Sequence, residues 1–255
     1  MNNSRPKFSR RHLLVSGGSL AAAGAVLSAC GGSESTPIAR IGISPTTVPL
    51  PDVEVTDVVL LRTAMSLEAL VMTLLSNDAV TSLAPATAKP LIAAFANSRT
   101  ATMSALTALL AARNGQPYSE PNPKLMLSYG NNALKLVEEG KSEPDALALT
   151  LALENLTASS YQYLVSLTQE PALRADMMRL AAGASRRAAV ASQTISGGTK
   201  AFGPKLDADG AAILATLPRA FGALNTVQVG LGKPNDVGAL TVVLMDTPSF
   251  NSFIY

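Results

Sequence analysis

Histidine and cysteine are almost missing from this chain: there is one of each in 255 residues. They are His12 and Cys30, close to the N-terminus. Beyond Cys30 the sequence has neither an imidazole nor a thiol. That excludes disulfides, zinc fingers, His-held haem, Ser-His-Asp and Cys-His nucleophiles and any His-ligated metal centre from the rest of the chain. Tryptophan is absent and aromatic residues make up 4%, so Leu, Val, Met and Ala have to fill the core. The charges nearly cancel, 20 Lys+Arg against 18 Asp+Glu. No basic stripe marks a nucleic-acid surface, and no nucleic-acid partner is expected. The length suits one large domain or two small ones, and no internal repeat of about 20–50 residues is present.

What the first residues do contain is ordered. Arg5, Lys7, Arg10 and Arg11 make a basic start without an acid, and Leu13–Leu27 is an apolar, Ala/Gly-rich stretch. It is short of the roughly 20 residues of an ordinary spanning helix. The run ends in Leu27-Ser28-Ala29-Cys30. Ser9-Arg10-Arg11-His12-Leu13-Leu14 resembles a twin-arginine export signal, and Leu-Ser-Ala-Cys resembles the lipobox of bacterial lipoproteins. The resemblance implies cleavage between Ala29 and Cys30, lipidation of Cys30, and a place on the outer face or periplasmic side of the cell membrane. The alternative is a retained signal anchor with a chance cysteine. Removing residues 1–29 takes away four basic groups, which leaves 16 Lys+Arg against 18 Asp+Glu and a net charge of −2. Residues 30–55, with Pro37, Pro45, Pro49 and Pro51, read as a flexible tether.

From Thr56 onward the apolar pattern is helical, and the expected class is all-α. The spacing predicts helices over 56–77, 86–114, 143–169 and 171–196, with a short one near 131–139. Their inward stripes are Leu60/Leu61, Ala64, Glu68, Val71 and Leu74/Leu75; Phe95, Arg99, Thr102, Leu106 and Leu109/Leu110; Leu147, Leu151, Glu154, Ala158, Tyr161 and Val165; and Met178, Ala181, Ser185, Ala188, Ser192 and Ile195. Thr56 or Asp57 supplies an N-cap, Pro171 a first turn, and Gly197-Gly198 a stop. Joined short–long–short, the long helices suggest a four-helix bundle over 56–200 with one long crossover. A further helix is expected over 207–225, broken at Pro218, followed by an extended tail. Residues 201–255 are expected to pack on the bundle. Leu240–Met245 is a short apolar run of ambiguous type.

Glu68 and Glu154 stand where the helical period asks for an apolar side chain. An unpaired buried carboxylate is costly, and it takes up a proton or finds a cation. Two readings stay open: both residues lie at stripe edges and reach solvent, or they face each other in the core. Arg99 also lies on an inward stripe. It either pairs with Glu68 or Glu154, or extends its stem to the surface. Arg62, Arg186 and Arg187 read as solvated rim charges, and Tyr161 and Tyr163 as core and rim aromatics. Gly230-Leu231-Gly232 lacks the rest of a nucleotide-binding fingerprint.

Leu61-Arg62-Thr63-Ala64-Met65-Ser66-Leu67-Glu68 and Leu151-Ala152-Leu153-Glu154 resemble the first and third helices of bacterial ferritin-like domain proteins exported by the twin-arginine route. Phe95–Ala108 resembles the second helix, Gly115–Pro123 the loop after it, and Pro171–Arg174 with Gly183–Ala189 the fourth. The resemblance covers about 56–196. It implies a four-helix bundle that can hold two irons by one Glu from each of two helices and Glu-x-x-His from each of the other two. Glu68 and Glu154 match the lone glutamates. Ser98, Arg99 and Thr102 stand where relatives often carry histidines, and Ser185 and Ala188 occupy the Glu-x-x-His spacing. Most of the ligand set is therefore missing, no cofactor is expected, and Arg99 is the candidate to replace the metal's positive charge.

Three functions follow as expectations. The first is a lipid-anchored, non-catalytic envelope protein that binds a partner or acts as a scaffold. The second is a metal-binding oxidase or iron-storage protein with a reduced site on Glu68 and Glu154. The third, an enzyme of Ser or Asp chemistry without histidine, has no motif behind it. The sequence names membrane lipid as a partner through Cys30 and leaves a protein partner, a small ligand and a homo-oligomer open.

Overall fold

The computed structural model describes residues 54–198, 203, 205–213 and 226–255. The export signal with Arg10, Arg11, Ala29 and Cys30, nearly all of the tether, and residues 214–225 of the expected C-terminal helix lie outside the described residues. The described part is mostly helical, with two small two-stranded sheets.

Helix α1 spans Asp57–Leu75. Thr56 is its N-cap: the backbone there is extended and the hydroxyl accepts from the Val59 N–H at 3.4 Å. Asp57 in the first turn complements the helix dipole. α1 is buried on nearly every side, which makes it the central helix. By length and composition it could cross a membrane, but 78% of that stretch is buried inside the fold. Asn77 then caps a short helix, α2 (Asp78–Leu83), in a stretch the sequence reading treats as a connection. Helix α3 spans Lys89–Ala111 and starts with proline in its first turn.

Asn122 starts the long connection's helical part by accepting from the N–H groups of Lys124 and Leu125. There α4 (Pro123–Leu125), a π-helical turn (Met126–Gly130) and α5 (Asn131–Gly140) follow without a break. Helices α6 (Glu143–Leu167) and α7 (Pro171–Ser196) each carry proline in the first turn. Gly197, with φ 70°, ends α7 in the left-handed conformation that favours glycine. α6 packs most extensively on α7, and α1 packs on α3 and α6.

The C-terminal part departs from expectation. Residues 207–213, expected to begin a helix, instead belong to a hairpin of β1 (Lys205–Leu206) and β2 (Ala212–Ile213). Asp207 Oδ1 accepts from the N–H groups of Asp209 and Ala211, and Gly210 has φ 80°. This Asp-x-Asp-Gly turn outweighs the helix preference of the neighbouring alanines. The ambiguous run at 240–245 falls largely in β4 (Thr241–Asp246), paired antiparallel with β3 (Thr226–Leu231), Val229 opposite Val243 and Val227 opposite Met245. These four side chains and Leu231 point inward, and β3 packs on α6. The chain end docks too: Phe253 is buried, and the Ile254 N–H donates to Thr63 Oγ1 at 3.0 Å.

The α7 face also differs. Its buried set is Leu173, Met177, Ala181, Ala184, Ala188 and Ala191, whereas Met178, Ser185 and Ile195 are exposed. Alanine-rich helices give little hydropathy contrast, so a stripe one residue out of phase looks nearly as good. Small side chains on the true face let α7 close on α6.

The apolar interior falls into two clusters. One holds Leu70, Leu74, Phe95, Leu149, Leu153, Ala191 and the inward strand residues. The other holds Leu60, Leu61, Met65, Leu106, Tyr161, Leu164, Met177 and Ala181. All four long helices pass from one cluster to the other, and Glu68, Arg99 and Glu154 occupy the stretch between them.

Candidate functional site

In that intermediate layer α1 contributes Glu68, α3 contributes Arg99, and α6 contributes Glu154 and Tyr161. Glu68 is 1% exposed, and Glu154 and Arg99 are 0% exposed. The Arg99 guanidinium bridges the two acids. Nη1 donates to Glu68 Oε2, and Nη2 donates to Glu154 Oε1 at 2.6 Å. The remaining oxygens are taken as well. The Tyr161 hydroxyl donates to Glu68 Oε1 at 2.8 Å, and Arg187 Nε donates to Glu154 Oε2 at 2.8 Å. Two carboxylates face two guanidiniums, so the cluster is neutral as a whole, and each carboxylate oxygen has a donor.

Burial by itself disfavours the charged form of Arg99, but attraction from Glu68 and then Glu154 outweighs it and holds the guanidinium more firmly protonated than usual. Burial also drives the Tyr161 phenol well above its ordinary range, and the Glu68 charge adds to it, so the hydroxyl stays a donor. A planar fork with fixed donors suits two carboxylates on different helices, which a lysine point charge would not serve. Arg99 Nε is buried without a partner among the described residues.

The other predicted positions divide. Ser98 is half-buried and spends its hydroxyl on the Phe95 carbonyl at 2.8 Å. Thr102 is half-buried, Ala188 is buried, and Ser185 is exposed rather than inward. Arg187, read from sequence as a rim charge, is instead an ion-pair partner with a side chain 16% exposed. Its signal was available: it lies one turn from Ala184 and Ala191, on the small-residue face. Tyr161 lies in the core as its helical phase predicts, and the structure adds its role as a donor to Glu68. It stands two turns from Glu154 on one helical face.

The geometry does not fit a di-iron centre. The space between the lone glutamates is held by a cationic side chain, and every carboxylate oxygen already accepts a charged or hydroxyl donor. Among the described residues no three His, Cys, Asp or Glu side chains gather into a possible metal cage. Nothing in the cluster is a free nucleophile or an unengaged base. Its evident action is to tie α1, α3, α6 and α7 at one level.

No protein-family model matches the chain, no curated protein matches it, and no solved structure matches it.

Proposed function

We propose that this chain is an exported, lipid-anchored protein on the ferritin-like four-helix plan, without a di-iron site, that serves the cell envelope by binding or scaffolding rather than catalysis. One observation carries the reading: Arg99 sits between Glu68 and Glu154 and satisfies both. Lone glutamates on the first and third long helices suit that plan, and so do helices joined short–long–short. In this account the arginines supply the positive charge that metal supplies in the family the sequence resembles. The basic start, apolar stretch and Leu27–Cys30 ending support export and lipidation of Cys30.

Two measurements test the proposal. Anaerobic loading of the full chain with Fe(II), followed by desalting and metal analysis, should leave about no iron bound; about two irons per chain would restore a dinuclear site. Replacing Cys30 with Ala should release the protein from the membrane fraction. Continued membrane association of that variant would overturn the lipid anchor.

A further inference from the structure

A cleft of about 500 Å³ lies where the π-helical turn meets the end of β4 and the last turn of the chain. It uses none of the residues of the ion cluster, and its test stands whether or not the export reading holds. Its walls are partly built in advance. Ser249 and Ser252 close a reciprocal cap, and Asn122 holds the Ser252 carbonyl at 2.7 Å. Tyr129 of the π turn lines the cleft, is 1% exposed, and its hydroxyl has no partner among the described residues. Such a group costs stability unless something accepts from it. The Asp246 carboxylate also lines the cleft. Burial raises the Tyr129 phenol above its ordinary range, and the Asp246 charge raises it further. Thr226 donates to Asp246 Oδ1 at 2.5 Å. Tyr163, Pro248 and Lys124 complete the lining. π-helical turns recur at functional sites.

A ligand that displaces the cover over the buried Tyr129 hydroxyl must offer it an acceptor, and must offer a donor to Asp246. An anion would serve Tyr129 and Lys124 but be repelled by Asp246. An amine would serve Asp246 and leave the tyrosine hydroxyl unmatched. Neighbouring neutral hydroxyls meet both demands, and their carbon skeleton suits the apolar wall. We propose that this cleft binds a neutral polyhydroxylated molecule of the size of one or two sugar rings, with Tyr129 and Asp246 as its polar contacts.

Saturation-transfer NMR on the full chain tests this with maltose and N-acetylglucosamine as probes and glutarate and cadaverine as charged comparisons. At least one sugar should receive transfer. Tyr129→Phe, which keeps the ring, should weaken that binding by roughly 3- to 10-fold, the value of one hydrogen bond. It should also raise the melting temperature of the free protein, because an unmatched buried hydroxyl is gone. Should Tyr129→Phe fail to fold, Asp246→Asn at an exposed position carries the same test and should weaken binding similarly. Absence of transfer to both sugars, binding unchanged in the variants, or preference for glutarate or cadaverine would each overturn the proposal.

Discussion

Individual side chains in this protein are placed by what they need as partners rather than by hydropathy. Asp145, in the first turn of α6, is buried and accepts from the Gly232 N–H at 2.9 Å. Burial raises its carboxyl above the ordinary range, and that hydrogen bond offsets only part of the effect. A carboxyl raised by folding stabilises the fold when protonated, and that stability is lost as pH climbs through the folded value. Asn at this position keeps an acceptor and cannot ionise. Asp145→Asn should therefore melt above the parent at pH 7, and the two curves should converge as pH falls to about 4, the ordinary carboxylate range. Thermal melts across that range check it; a parent more stable than the variant at neutral pH would contradict the assignment.

At the scale of elements, the β3–β4 hairpin is fastened by backbone contact as well as by its apolar face. A Cβ at Gly140, the end of α5, would stand 2.8 Å from Gly232 Cα and 2.8 Å from Asp145 Oδ2. Gly232 itself has φ 88°, a conformation other residues rarely adopt. Neither backbone can yield without moving the hairpin. Gly140→Ala should cost about 1–3 kcal/mol and speed hydrogen exchange across 226–246 more than across α6 and α7. Uniform exchange in variant and parent would show that the hairpin does not depend on this approach.

Long helices with strong punctuation were legible: α7 begins at Pro171 and ends at Gly197, and α1 begins after Thr56. The α7 face was not, because alanine at successive positions leaves the period without contrast. The first C-terminal hairpin was missed because alanines flank a turn signal, Asp207 to Gly210, that had to outrank them. In the site, Glu68, Glu154 and Arg99 stood out because a charge on an apolar stripe is anomalous. Arg187 did not, since it adjoins Arg186 on an alanine-rich helix with little contrast between faces, although the small-residue face is the one that carries it to Glu154.

For the whole molecule, the cluster of Glu68, Arg99, Glu154 and Arg187 divides one apolar cluster from the other and binds four helices at a single level. Buried ion networks of this kind contribute less to net stability than their contacts suggest, because desolvation opposes attraction; removing one member is costly because it strands the others. A centre held by Arg99 therefore makes an asymmetric prediction. Arg99→Met should lower unfolding stability by about 3–5 kcal/mol. Combining it with Glu68→Gln and Glu154→Gln, which removes the stranded charges, should recover much of that loss. Denaturant unfolding of the parent, the single and the triple variant is the most direct measurement. A large loss in the single variant and partial recovery in the triple are expected. An Arg99→Met variant within about 0.5 kcal/mol of the parent, the range of an ordinary surface substitution, would contradict this expectation.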